Sequence, residues 1–95
     1  MKFLITWQID GNEADEARIL ALFAAWQPPL TMNEWSGFAD GSGGMSIVET
    51  DDVEALAALT APWTPWLKFT IRVMQPIQAL AGSMATAAAF RATVH

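Results

Sequence analysis

Glu49, Lys68 and Arg72 are the residues best able to do chemistry together in this chain. One carboxylate beside two cations could hold an anionic ligand, or move the acidity of Glu49 toward proton transfer. The same trio could also be a structural ion pair at an interface, which is common and only weakly stabilising. Which reading applies depends on strand register, because a slip of one residue turns Glu49 to the opposite face of a sheet. Trp7, Trp63 and Trp66 form a second group. Flat, amphipathic indoles could line a pocket for an aromatic or polycyclic ligand. They could equally fill the core or a dimer contact, since Trp7 lies in line with Phe3 and Ile5.

Other chemical groups have simpler explanations. Asp51, Asp52 and Glu54 resemble a metal cluster, but acids at a helix start account for all three. Gly41-Ser42-Gly43-Gly44 resembles a phosphate cradle. It leads into a strand rather than a helix, so it lacks the dipole such cradles use. His95 is the single His and stands at the chain end, which disfavours His-ligated haem or zinc. There is no Tyr to serve as a phenolic acid. There is also no Cys for a thiolate nucleophile, a disulfide or a thiolate metal site. The serines at 36, 42, 46 and 83 have no credible partner base, so a nucleophilic triad is not supported. No cofactor is called for.

Composition narrows the partners. Of 95 residues, 53% are apolar and 16% charged. One domain is expected, with some apolar surface left to meet another chain. Ten acids face five bases and the bases are scattered, so a phosphate backbone is a poor partner. The apolar opening is too short for a signal sequence, and a cytoplasmic location is expected. The Ala-rich end carries Gln78, Gly82, Ser83, Thr86 and Arg91, which argue against a membrane span. It also lacks the cationic face of a membrane-surface helix.

The elements that must position these groups can be read in order. Phe3, Ile5, Trp7 and Ile9 alternate with Leu4, Thr6 and Gln8, predicting a strand with one buried face. Asn12 can cap a helix from about Glu13 to Trp26, with Ile19, Leu20, Phe23 and Trp26 as its buried stripe, ended by Pro28-Pro29. Leu30 to Phe38 and Gly44 to Glu49 read as strands joined by a Gly-rich hairpin. Asp51 with Glu54 suggests a capping box for a second helix, whose inner face would be Val53, Leu56, Ala57 and Thr60. Trp66 to Met74 is a fourth strand, with Leu67, Phe69, Ile71 and Val73 opposed to Lys68, Thr70 and Arg72. A last helix spans roughly Ile77 to Ala92, packing on the body of the domain or on a partner's tail.

The order β-α-β-β-α-β plus a tail helix predicts an α+β, ferredoxin-like domain with a four-stranded antiparallel sheet. Both main helices would cover one face. The other face would carry Leu4, Thr6, Gln8, Met45, Ile47, Glu49, Lys68, Thr70 and Arg72. Two copies packed face to face about a twofold would cover it.

The opening Met1-Lys2-Phe3-Leu4-Ile5-Thr6-Trp7, the central Gly43-Gly44-Met45-Ser46-Ile47-Val48-Glu49-Thr50-Asp51-Asp52 and the later Trp63…Trp66-Leu67-Lys68-Phe69 resemble short bacterial proteins grouped as domain of unknown function 3303. The resemblance covers roughly residues 1 to 76 and leaves the Ala-rich tail outside. It implies a dimeric α+β barrel, a homodimer with a cavity between two sheets, and no assigned activity. More distant barrel relatives include cofactor-free monooxygenases, and one of these pairs an amide with a Trp to hold substrate. Asn33 and Trp35 match that pair in type, and their spacing points both the same way. The alternation is also ordinary for an edge strand. Three functions stay open: a binder of a small apolar or aromatic metabolite, a cofactor-independent monooxygenase- or isomerase-like enzyme, and an assembly module without a pocket.

Overall fold

The computed structural model describes residues 1–10 and 13–94. The expected cap at Asn12 and the terminal His95 lie outside the described residues. In chain order the elements are β1 (Lys2–Ile9), α1 (Glu13–Ala25), β2 (Met32–Gly37), β3 (Gly43–Glu49), α2 (Val53–Thr60), a 3₁₀ turn at Ala61–Trp63, β4 (Leu67–Met74) and α3 (Ile77–Ala92). The four strands pair antiparallel in the order β2-β3-β1-β4, the ferredoxin-like arrangement.

The register settles the two faces of the sheet. Phe3 lies opposite Val48 and Val73, Ile5 opposite Ser46 and Ile71, and Trp7 opposite Gly44 and Phe69. This is the face under α1 and α2. Its core is Phe3, Ile5 and Val48 against Leu56 and Leu59 of α2, with Trp26, Leu30, Met32 and Phe69 packed around them. Residues between these in sequence point the other way. Leu4 meets Ile47 and Arg72, Thr6 meets Met45 and Thr70, Gln8 meets Lys68, and Lys2 meets Glu49 and Met74. Neither α1 nor α2 covers that second face.

Helix stripes differ in detail from the periodicity. Val53 and Leu20 are exposed, and the buried side chains of α2 are Leu56 and Leu59. Periodicity gives the angular position of a stripe, but the strand it meets decides which residues are covered. On β4, Ile71 and Val73 share the helix-side face yet remain exposed, because β4 is an edge strand beyond the helix layer.

The start of α2 is shifted by one residue from the expected box. Asp52 is the N-cap: its Oδ1 accepts from the Glu54 N–H at 3.0 Å and the Ala55 N–H at 3.4 Å. Glu54 then falls one position short of the reciprocal site. Asp51 is instead taken by the chain's own amino terminus, which donates to its Oδ1 at 2.8 Å. The β2–β3 hairpin turns at Gly41, whose φ of 76° suits a residue without Cβ. There Asp40 Oδ1 accepts from the Ser42 N–H at 2.9 Å and its hydroxyl at 2.7 Å.

α3 has the expected bounds, Ile77–Ala92, but the part of the expectation that packs it on its own domain fails, since every residue of the helix is exposed in the single chain. The molecule measures 57 × 26 × 22 Å with a radius of gyration of 17.7 Å. A compact chain of this length has a radius near 12 Å. α3 therefore stands off the body of its own chain.

The amino-terminal contact predicts a pH signature. The hydrogen bond and charge of the ammonium hold the Asp51 carboxyl below its ordinary value of 3.8. A depressed folded-state value contributes stability above the unfolded value, and that contribution is lost as pH falls through the folded one. NMR titration should place the Asp51 midpoint below 3.8. Acetylating the amino terminus should return it to the ordinary range. A midpoint at or above 3.8 in the unmodified chain would refute the pairing.

Candidate functional site

The helix-side face and the helix layer do not close on each other. They leave a cavity of about 170 Å³ between β1, β3 and β4 below and α1, α2 and the 3₁₀ turn above. Trp7 and Phe69, direct cross-strand neighbours, form part of its floor with Ile5 and Ser46. The wall is a closed ring of four aromatic side chains. Phe23 contacts Trp35 at 5.2 Å between centroids, Trp35 contacts Trp26 at 6.0 Å, Trp26 contacts Trp63 at 5.1 Å, and Trp63 returns to Phe23 at 6.4 Å. The two contacts of Trp26 are near-perpendicular, at 78° and 84°, and the other two are tilted. These are the edge-to-face geometries that the ring quadrupole favours.

Local sequence explains how each ring arrives. Phe23 and Trp26 are three residues apart at the end of α1, so they share a face. Trp63 is delivered by the 3₁₀ turn that Pro62 starts after α2. Trp35 reaches the wall through a β-bulge. Met32 pairs with Val48, but the next partners are Glu34 with Ile47 and Trp35 with Ser46. The extra residue places Met32 and Trp35 together on the helix side, and both line the cavity. Trp7 owes its position to Gly44. A Cβ there would collide with the Trp7 indole and with the Ser36 carbonyl.

Among the described residues, the polar side chains of the wall are Ser46, Thr60 and the indole N–H groups, and none carries a charge. Ser46 is buried on the floor, and the Thr60 hydroxyl is turned to the carbonyls of Leu56 and Ala57 at 3.4 Å. Trp63 Nε1 is buried and finds no acceptor among the described residues. A neutral donor left so costs about 1–3 kcal/mol. The perpendicular Trp26–Trp63 contact offers at most a weak N–H···π substitute.

Of the eight candidates named from sequence, Trp7, Trp35 and Trp63 come together here. Trp66 does not. It is half-buried outside the wall, and its backbone ties the turn to β1, accepting from the Asp10 N–H at 2.8 Å. Asn33 does not join Trp35: the bulge breaks the alternation that would have aligned them, and Asn33 is exposed. Glu49, Lys68 and Arg72 share the open face as expected, but not one locus. Glu49 stands level with Lys2 and Arg72 level with Leu4, while Lys68 lies level with Gln8 at the far end of β1. Six residues along a strand span about 20 Å. Lys68 pairs instead with Asp10 at 3.5 Å, both largely exposed. All three charges are on the opposite face from the Trp cluster, so they cannot serve it. Phe23, Trp26 and Phe69 were missed as site residues because stripe periodicity explains them as core. The signal was the aromatic pair at positions 23 and 26 just before Pro28-Pro29.

Residues 1–88 match the family described as Domain of unknown function (DUF3303). The chain belongs to this family. The match reaches well into α3, so the tail is part of the family pattern and not an appendage beyond residue 76. No curated protein matches the chain. Among the described residues, no helix is long and apolar enough to cross a membrane.

The close approach of Gly44 to Trp7 gives a test of the cavity floor. Gly44→Ala should cost about 1–3 kcal/mol in denaturant unfolding, since the added methyl meets an indole and a backbone carbonyl. It should also alter the near-ultraviolet dichroism of the Trp residues. Unchanged stability and spectrum would mean that Trp7 does not lie over Gly44.

Proposed function

We propose that this protein binds a small, neutral, apolar or aromatic molecule inside the ring formed by Phe23, Trp26, Trp35 and Trp63, and that it does so as a homodimer assembled over the open sheet face. The observation carrying this reading is an uncharged, aromatic-walled cavity of about 170 Å³ beneath the helix layer. A dry apolar cavity of about 150 Å³ is enough to take up benzene. The fitting guest is therefore one ring, or a short branched chain, of roughly six to ten non-hydrogen atoms. A charged guest would lose its hydration with no counter-charge in the wall. After a small turn of the indole, an oxygen acceptor on the guest could take the Trp63 N–H, which finds no acceptor among the described residues. Homodimer assembly is supported by an apolar centre of Leu4, Met45 and Ile47 rimmed by charged residues, the layout of a protein interface.

The absence of charge from the wall favours a binder over an enzyme at this site. General acid–base catalysis needs a titratable group within reach of the reacting atom. Among the described residues, Ser46 and Thr60 supply none that titrates near neutrality.

Benzyl alcohol and acetophenone are suitable probes. They should quench Trp fluorescence with dissociation constants of about 10–300 μM, the range open to so few atoms. At ten times the dissociation constant the melting midpoint should rise by about 5–10 °C. Trp35→Ala removes a ring that is half exposed, so the fold should survive while affinity falls about tenfold or more. Benzoate, matched in size but charged, should bind far more weakly. Equal binding of benzoate, or no response to any neutral ring, would overturn the proposal.

A further inference from the structure

α3 and the open sheet face are two unpartnered surfaces on one chain, and they match. α3 has sixteen residues, a rod of about 24 Å. β1 has eight residues, extending about 26 Å. The helix can therefore lie along the full length of a sheet. Ile77, Leu80, Met84 and Ala88 recur at helical spacing, and the first three are 68%, 40% and 61% exposed. The first charge of the helix is Arg91, on the same stripe at its carboxyl end. The open face presents Leu4, Met45 and Ile47 at its centre, with Glu34 and Glu49 on its β2–β3 side and Lys2, Lys68 and Arg72 along β1 and β4. One side thus offers an apolar stripe ending in a cation, and the other an apolar centre with carboxylates on its β2–β3 side alone, where that cation can be met.

Most helical stability in proteins comes from packing an apolar face rather than from propensity, so a helix only just past the length at which isolated helices are marginal gains from a surface to lie on. Its own body does not provide one. Pro76, at φ −56° and ψ 143°, sends the chain onward from β4, and no residue of α3 is buried. We infer that α3 is an exchanged arm, docking its Ile77–Leu80–Met84 stripe on the open sheet face of a second copy. The inference rests on the homodimer proposed above and names what covers the face: the partner's helix, in place of direct sheet-on-sheet stacking. A twofold makes the contact twice, burying on the order of 2,000 Å² in total, within the range of stable specific dimers.

The chain has no Cys, so introduced thiols report without interference. Thr6→Cys and Met84→Cys, made separately and mixed, should yield a disulfide-linked dimer on mild oxidation, and the double variant should yield linked dimers rather than a monomer closed on itself. Leu80→Asp with Met84→Asp alters exposed positions only, so the fold should be kept while sedimentation shows dimer affinity falling at least about 100-fold. A dimer whose affinity is unmoved by the two Asp substitutions would overturn arm exchange and leave the homodimer standing. A disulfide between the thiols introduced at positions 6 and 84, closed within one chain, would also overturn the exchange. An unsubstituted chain that sediments as a monomer at 100 μM would overturn both the exchange and the homodimer. Ligand binding in the aromatic cavity is read out separately, by Trp fluorescence.

Discussion

Everything in this molecule depends on the burial of one face of β1 and β3. Ile5 and Val48 are almost wholly shielded, and Phe3, Leu56 and Leu59 close over them. These five side chains make up the buried core cluster. Truncating any of them to Ala would cost about 2–5 kcal/mol, a large share of the stability of a domain this small. The core occupies the Phe3–Val48 end of the sheet. Toward the Trp7–Gly44 end the helices and sheet diverge, and aromatic rings stand where aliphatic chains would have filled the gap. The cavity is the consequence of a small core set to one end.

That placement divides the sheet into regions with different physics. The helix-side face carries no charge and is apolar but for the buried Ser46, passing from aliphatic packing into an aromatic ring. Its perpendicular contacts hold the wall open, because edge-to-face indoles cannot collapse onto one another as methyl groups do. The opposite face mixes Leu4, Met45 and Ile47 with charges at its margins. Charge was kept from the first face by the cost of burying it unpaired. The candidate chemistry of Glu49 and Arg72 and the candidate pocket of Trp35 and Trp63 therefore belong to two different surfaces.

Much of this was legible from residue order because a strand has a period of two. Phe3-Ile5-Trp7 and Leu67-Phe69-Ile71-Val73 carry their own face assignments, and the Gly-rich hairpin fixes how β2 meets β3. The period fails where one residue is inserted. The bulge at Asn33 brings Trp35 to the side of Met32, where plain alternation would have opposed them, and no residue type there announces it. Adjacent acids were ambiguous for a similar reason. Asp51 and Asp52 are equally good caps, and the choice between them was made by the amino terminus, fifty residues away in sequence. The ring of Phe23, Trp26, Trp35 and Trp63 joins three separate segments, so the local pair at 23 and 26 could reveal half of it and no local pattern the whole.

The edges of the sheet bear on how copies of this chain can meet. An exposed edge strand invites pairing with another strand, and proteins discourage it with charge, bulges and short length. Both edges here are treated that way. β2 has six residues and a bulge, and β4 carries Lys68 and Arg72. The open face has no equivalent defence at its centre, where Leu4 and Thr6 lie beside Met45 and Ile47. Strand-to-strand extension is thus opposed while face-on contact is not. Extension by edges would also have no natural end, since each added copy offers a new edge. A face covered reciprocally about a twofold closes after two chains, leaving nothing further to recruit.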